Sequence, residues 1–182
     1  ITCIRYIDDF ILFGSSQRAV RKAFNSALVC LKVLELSAYD PFDAVDSANA
    51  EHGSADKGFN FLGCHVLPDR VRPTEEKWKS IILRVQEIFG ECLKACSNPD
   101  RAIFSTDQVA TFSGATVSAS NVIRAWGNTY SFCSDDRLMD SIDTEIGKKF
   151  VEFRKAFIQR ISSQSDVGRR KAFGLFSVKD CK

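Results

Sequence analysis

The stretch that decides the fold is Ile1-Thr2-Cys3-Ile4-Arg5-Tyr6-Ile7-Asp8-Asp9-Phe10-Ile11-Leu12-Phe13-Gly14. Apolar, β-favouring residues flank a polar pair on both sides, and Gly14 with Ser15 punctuates the end. The simplest local structure is a tight β-hairpin with Asp8 and Asp9 at its turn. Adjacent carboxylates repel each other, and a cation between or beside them relieves the conflict. Hard oxygen ligands suit Mg²⁺, which is commonly held by one or two protein carboxylates and the phosphates of a substrate. The plain alternative is a solvated turn, because Asp is a common turn residue.

Outward from the hairpin, Ser15 or Ser16 can cap a helix running to about Leu36. Val20, Phe24, Leu28 and Leu31 recur at helical spacing, with Arg18, Arg21, Lys22 and Lys32 at polar positions. From Asp40 to Gly58 the pattern dissolves into Asp, Ala, Ser, Asn and Gly, which predicts a long polar loop. Phe59 to Leu67 reads as one strand, Pro68-Asp69-Arg70 as a turn, and Val71-Arg72 as a brief strand ended by Pro73. Thr74 can cap the next helix, whose first turn holds Glu75 and Glu76, and whose apolar face runs from Trp78 to Cys96. Ser97-Asn98-Pro99-Asp100 breaks it. A segment from Ser105 to Ala119 holds the small residues Ser113-Gly114-Ala115-Thr116, and a short helix is expected over Ser120 to Cys133. A long helix follows over about Asp136 to Ile161, and the basic tail beyond it suggests no regular element. The expected class is α+β, a hairpin and sheet at the front and an all-helical portion behind Pro73.

The 182 residues suffice for a real core, and the 45% hydrophobic and 26% charged composition is that of an ordinary globular protein. No apolar run reaches the length needed to cross a bilayer and no signal-peptide pattern appears, so the expectation is a cytoplasmic protein without a membrane partner. The seven cysteines are scattered without a C-x-x-C pair and read as small buried hydrophobes in a reducing compartment. Charge is uneven: from Lys148 to Lys182 ten basic residues face three acidic ones, although the whole chain carries only +2. A basic end on an acidic remainder suits a polyanion partner, and equally a solvated face.

Three stretches, in order, carry a family resemblance. Arg5-Tyr6-Ile7-Asp8-Asp9-Phe10-Ile11-Leu12-Phe13 resembles the Tyr-x-Asp-Asp hairpin of reverse transcriptases of bacterial and group II intron type. Phe59-Asn60-Phe61-Leu62-Gly63 is similar to the Phe-Leu-Gly segment that forms the primer-gripping part of their palm. Val122-Ile123-Arg124-Ala125-Trp126-Gly127-Asn128-Thr129-Tyr130 resembles the thumb segment written Arg-Gly-Trp-x-Asn-Tyr. The resemblance implies the second half of a polymerase palm over 1–73, a helical thumb over 74–163 and a basic tail over 164–182. The chain opens inside a strand without an initiator Met, so we expect the fingers, and the palm strand with the other catalytic aspartate, to belong to a longer parent.

The implied activity is RNA-directed DNA polymerisation, with an RNA template, a DNA primer and deoxynucleoside triphosphates as partners, and the fragment inactive alone. Two Mg²⁺ ions, held by Asp8 and Asp9 with the upstream aspartate, would activate the primer 3′-hydroxyl and stabilise charge on the triphosphate. Tyr6 would line the last primer pair, or serve as core. Leu62, Gly63, Cys64 and His65 would lie under the primer backbone, with a plain sheet strand as the alternative for Cys64 and His65. Arg124, Lys148, Lys149, Arg154 and Lys155 are the candidates for backbone phosphates, while Trp126 and Tyr130 read as thumb core. The chain departs from the family where Leu36 to Asp43 lacks its motif Lys, with Lys57 as a substitute, and where Ala125 replaces Gly. A second class of function, a maturase-like RNA-binding module without catalysis, stays open.

Overall fold

A computed structural model describes residues 1–43, 45–46, 49–96 and 109–175, and among these residues there are two short antiparallel sheets and five α-helices. The class is α+β, as expected. The chain divides into two compact units, Ile1–Gly53 and Ser54–Lys182, so the change of pattern at Pro73 falls inside the second unit. Among the described residues no helix is long and apolar enough to cross a membrane.

In the first unit, strand β1 (Thr2–Tyr6) pairs with β2 (Asp9–Phe13) in a register running from Thr2↔Phe13 to Tyr6↔Asp9. The turn is therefore Ile7-Asp8, and Asp9 opens β2 instead of sharing the turn. A two-residue hairpin loop needs a positive φ at its first central position, and Ile7 supplies it at φ 55. A β-branched residue there costs about 1–2 kcal/mol. Arg5 answers from below, its Nε donating to the Ile7 carbonyl at 2.7 Å.

Helix α1 (Gln17–Val33) starts at Ser16, whose hydroxyl accepts from the Ala19 amide at 3.3 Å. Its buried Phe24 stacks on Phe10 with centroids 6.4 Å apart, which fastens the helix to the hairpin. The helix ends in a Schellman motif with Glu35 at φ 57: Leu36 N donates to Leu31 O at 2.9 Å and Glu35 N to Lys32 O at 3.1 Å. The expected polar loop folds back on itself. Asp40 accepts from the Phe42 amide at 2.9 Å, Asp46 from the Asp40 amide at 2.8 Å, and His52 Nδ1 donates to the Pro41 carbonyl at 2.7 Å. Phe42 lies beneath the Arg21 guanidinium at 4.9 Å.

In the second unit a 3₁₀ turn (Ala55–Lys57) leads into the meander β3 (Phe59–Phe61), β4 (Cys64–Val66) and β5 (Val71–Pro73). The single strand expected from Phe59 to Leu67 is thus two strands. Leu62 at φ 50 and Gly63 at φ 75 form the two-residue turn between them, a conformation glycine takes freely and Leu does not.

Helices α2 (Glu75–Ala95), α3 (Phe112–Thr129), α4 (Asp136–Ile161) and α5 (Asp166–Phe173) complete the unit. Both segments expected on either side of Ser120 belong to one helix, α3, started by Thr111, whose hydroxyl accepts from the Gly114 amide at 3.1 Å. The part of that expectation before Val109 lies outside the described residues. The apolar faces of α2 and α4 meet through Ile81, Val85, Ile88, Phe89, Phe153 and Phe157, all buried. Phe89 and Phe153 stack at 4.3 Å, and Phe112 continues the stack on Phe153 at 5.3 Å. Phe157 is fully buried, a burial that contributes roughly 2–3 kcal/mol. Trp78 and Trp126 pack on this core from its margins.

Two expectations change here. The basic tail is not structureless: α5 docks through buried Ala172 and through Phe173, which meets Phe157 edge-on at 5.2 Å. Nor are all cysteines buried: Cys64, Cys92 and Cys96 are, while Cys3 and Cys30 are exposed and Cys133 is half-buried.

Candidate metal and nucleic-acid site

The hairpin carries one group of the candidate residues. Pleating places cross-strand partners on one face of a sheet, so Tyr6 and Asp9 share a face and Phe10, on the other, turns toward α1. Asp8 and Asp9 are both exposed, and neither carboxylate has a hydrogen-bond or ion-pair partner among the described residues. Tyr6 is 55% exposed, which removes the reading of this ring as core. The described residues hold no group of three His, Cys, Asp or Glu that could enclose a metal ion. Two free carboxylates are nonetheless the donor set that Mg²⁺ takes from a protein when substrate oxygens and water fill its remaining positions.

A second group of candidate residues lies in the unit beginning at Ser54. The Leu62-Gly63 turn is braced by α2 and α3: a Cβ at Gly63 would stand 3.3 Å from Lys77 Cε and 3.4 Å from the Tyr130 hydroxyl. Leu62 is 47% exposed at the tip. Cys64 points into the interior, 4% exposed, so it offers nothing to a ligand on the surface. His65 lies between Asn60 and Arg72 in the register, and its Nδ1 donates to Asn60 Oδ1 at 2.9 Å. Asn60, His65 and Arg72 therefore form one polar face. Arg72 and Lys77 escaped the sequence reading, since only the register and the packing of α2 bring them beside His65 and Gly63.

The basic residues expected on backbone phosphates divide. Lys148 pairs with Glu145 at 3.2 Å, and Lys149 with Glu152 at 3.3 Å. Arg124, Arg154 and Lys155 are exposed with no ion pair among the described residues. Lys148 and Lys155, seven residues apart, share a face of α4, whereas Lys149 is turned away by about a quarter of a circle. Trp126 and Tyr130 meet at a tilt with ring centroids 4.6 Å apart, and Tyr130 is 8% exposed, in keeping with a role in the core. Lys57 lies in the 3₁₀ turn of the second unit. A further basic surface, not singled out in the sequence, is a shallow concavity of about 490 Å³ on α1 between Arg18, Arg21, Lys22 and Asn25.

Among the thiols, burial pushes Cys64 up from its ordinary range, and burial with the neighbouring Cys64 pushes Cys133 up to about 12. Tyr130, beside them, is raised chiefly by burial. These groups stay protonated at neutral pH, so none of them is a ready nucleophile.

No protein-family model matches the chain. Neither a curated protein nor a solved structure matches it.

Proposed function

We propose that the chain is the palm-and-thumb portion of an RNA-directed DNA polymerase, with Asp8 and Asp9 as metal-holding catalytic carboxylates. The observation that carries the reading is an adjacent pair of exposed carboxylates, free of protein partners, at the tip of a two-residue hairpin whose string resembles the reverse transcriptase motif. Bound magnesium supplies positive charge that favours the ionised primer hydroxyl and the developing charge on the triphosphate. Asp8, in the turn, and Asp9, which opens β2, orient that charge. Tyr6, on the same sheet face as Asp9, offers a flat surface to the last primer pair. His65, Arg72 and Lys77 beside the Leu62-Gly63 turn, with Arg124 and Lys155, supply donors and charge for phosphodiester oxygens. In this reading the partners are an RNA template, a DNA primer and dNTPs, and a further carboxylate comes from outside the 182 residues.

The test is Mg²⁺-dependent primer extension on an RNA template by a protein that joins this chain to the upstream palm segment. Replacing Asp8 and Asp9 together by Ala should lower extension at least about a hundredfold. Extension that survives the double substitution removes both residues from the catalytic role. The second reading, an RNA-binding module without catalysis, is favoured by the lack of Lys between Leu36 and Asp43. It predicts no extension by the joined protein, and RNA affinity that the double substitution leaves unchanged.

A further inference from the structure

We propose that the exposed side of α1 is a docking surface for duplex RNA, gripped through its phosphate backbone. Helix α1 carries Arg18, Arg21, Lys22 and Lys32 and not one Asp or Glu. At helical spacing these four cations, with Asn25 and Val29 between them, fall within about 100° of one another around the axis, and Arg18 and Lys32 stand about 21 Å apart along it. All of them are exposed, and none of the four cations has an ion pair among the described residues. Other helices neutralise such cations with their own acids: Lys79 pairs with Glu75, Arg84 with Glu87, Lys148 with Glu145 and Arg169 with Asp166. The acids that follow α1 are engaged elsewhere. Asp40, Asp43 and Asp46 each accept from a backbone amide of their own loop, those of Phe42, Val45 and Asp40 respectively.

The basic face is also shaped. Arg18, Arg21, Lys22 and Asn25, with Ser26 at the rim, line the concavity of about 490 Å³. The Phe42 ring supports the Arg21 guanidinium at 4.9 Å, a contact that restricts the side chain before any partner arrives. Phosphates of a duplex backbone supply regularly repeated negative charge over the length of such a face. A single strand would instead need open rings on which to stack its bases, and the nearest ring, Phe42, has its face covered by Arg21. A lipid surface would need large apolar side chains beside the cations, and the arc between them offers only Val29. Asn25 decides for RNA: its side chain donates and accepts without a partner among the described residues, which suits the 2′-hydroxyls displayed in the shallow groove of an A-form duplex.

This surface is distinct from the face that carries Asp9. Phe10 turns away from the side shared by Tyr6 and Asp9 and stacks on Phe24, so α1 lies behind the hairpin. The inference therefore goes beyond the polymerase reading and assigns a second contact with RNA.

The experiment measures fluorescence anisotropy of a labelled RNA duplex of about 20 base pairs with the full chain, over a series of salt concentrations. It is repeated with Arg18→Gln, Lys22→Gln and Lys32→Gln combined, exposed positions whose helix content circular dichroism checks. Affinity should fall at least about tenfold, and the slope of log K against log salt should flatten by about 2–3. Unchanged affinity and slope overturn the proposal. Equal affinity for a DNA duplex of the same length overturns the assignment to RNA, as does binding to phosphatidylserine vesicles that the substitutions abolish while RNA binding stays the same. A footprint needs no variant: RNA should slow acetylation of Lys22 and Lys32 in the native chain several-fold and leave Lys79 on α2 unchanged. Protection confined to Lys148 and Lys155 overturns the role of α1 while leaving the polymerase reading in place.

Discussion

Cys133 ties the stability of its surroundings to alkaline pH. Burial, with the neighbouring Cys64 adding to it, holds the folded thiol at about 12, against an ordinary value of 9.0. Cys64 and Tyr130 shift in the same direction, chiefly through burial. The folded state thus keeps protons that the unfolded chain releases. This contribution to stability is whole below about pH 9 and is lost as pH climbs toward about 12. Thermal melts should show Tm falling across that window, and Cys133→Ser should fall less steeply. An equally steep fall in the variant assigns the effect to other groups. At the same scale, the sequence showed that Asp8 and Asp9 sit at a hairpin end but not how the turn divides them. That division depends on Ile7 accepting a positive φ, which a β-branched residue does not advertise, with Arg5 bonded to the carbonyl it exposes.

Two helix ends show how one backbone conformation succeeds with one residue and strains another. Helix α1 closes on Glu35 at φ 57 and α5 on Gly174 at φ 93, with matching six-to-one amide bonds to Leu31 and Arg170. Glu pays the Cβ penalty of that region and Gly does not. Glu35→Gly should therefore raise the stability of the first unit by about 1 kcal/mol, read from the urea midpoint of slow-exchanging α1 amides. Gly174→Ala should act the other way, because the added Cβ would collide with Ser113 Oγ and stand 3.2 Å from Thr111 Oγ1 at the start of α3. A loss of about 2 kcal/mol or more, with faster amide exchange along α5, is the expected outcome. Unchanged exchange in α5 would mean that the helix does not depend on this close approach. The long helices α2 and α4 were legible because their apolar residues recur over many turns. Helix α5 was not: half of its eight residues are charged, and it is held by Ala172 and Phe173 against partners far away in the chain.

Over the whole chain, the order of hairpin, helix, small sheet and helices followed from periodicity and punctuation, while the division between units did not. The strand pattern stops at Pro73, yet Thr74 N bonds the Gly63 carbonyl at 2.9 Å and Ser134 bonds Val71, so the sheet is built into the helical unit. Such bonds join residues up to 63 positions apart and leave no local trace in the sequence. Charge behaved likewise. The basic run toward the C-terminus was plain, but its pairing was not: Lys148, Lys149 and Arg169 are engaged by acids on their own helices, leaving Arg154, Lys155 and Arg170 without ion pairs among the described residues. The separation into units also sets what spectroscopy can see. Both tryptophans, Trp78 and Trp126, border the core of the second unit, whereas the first has only Tyr6 and Tyr39 as its stronger chromophores. Indole emission therefore reports on the helical unit, and the melting of the ribbon bearing Asp8 and Asp9 is to be followed through its own Tyr6.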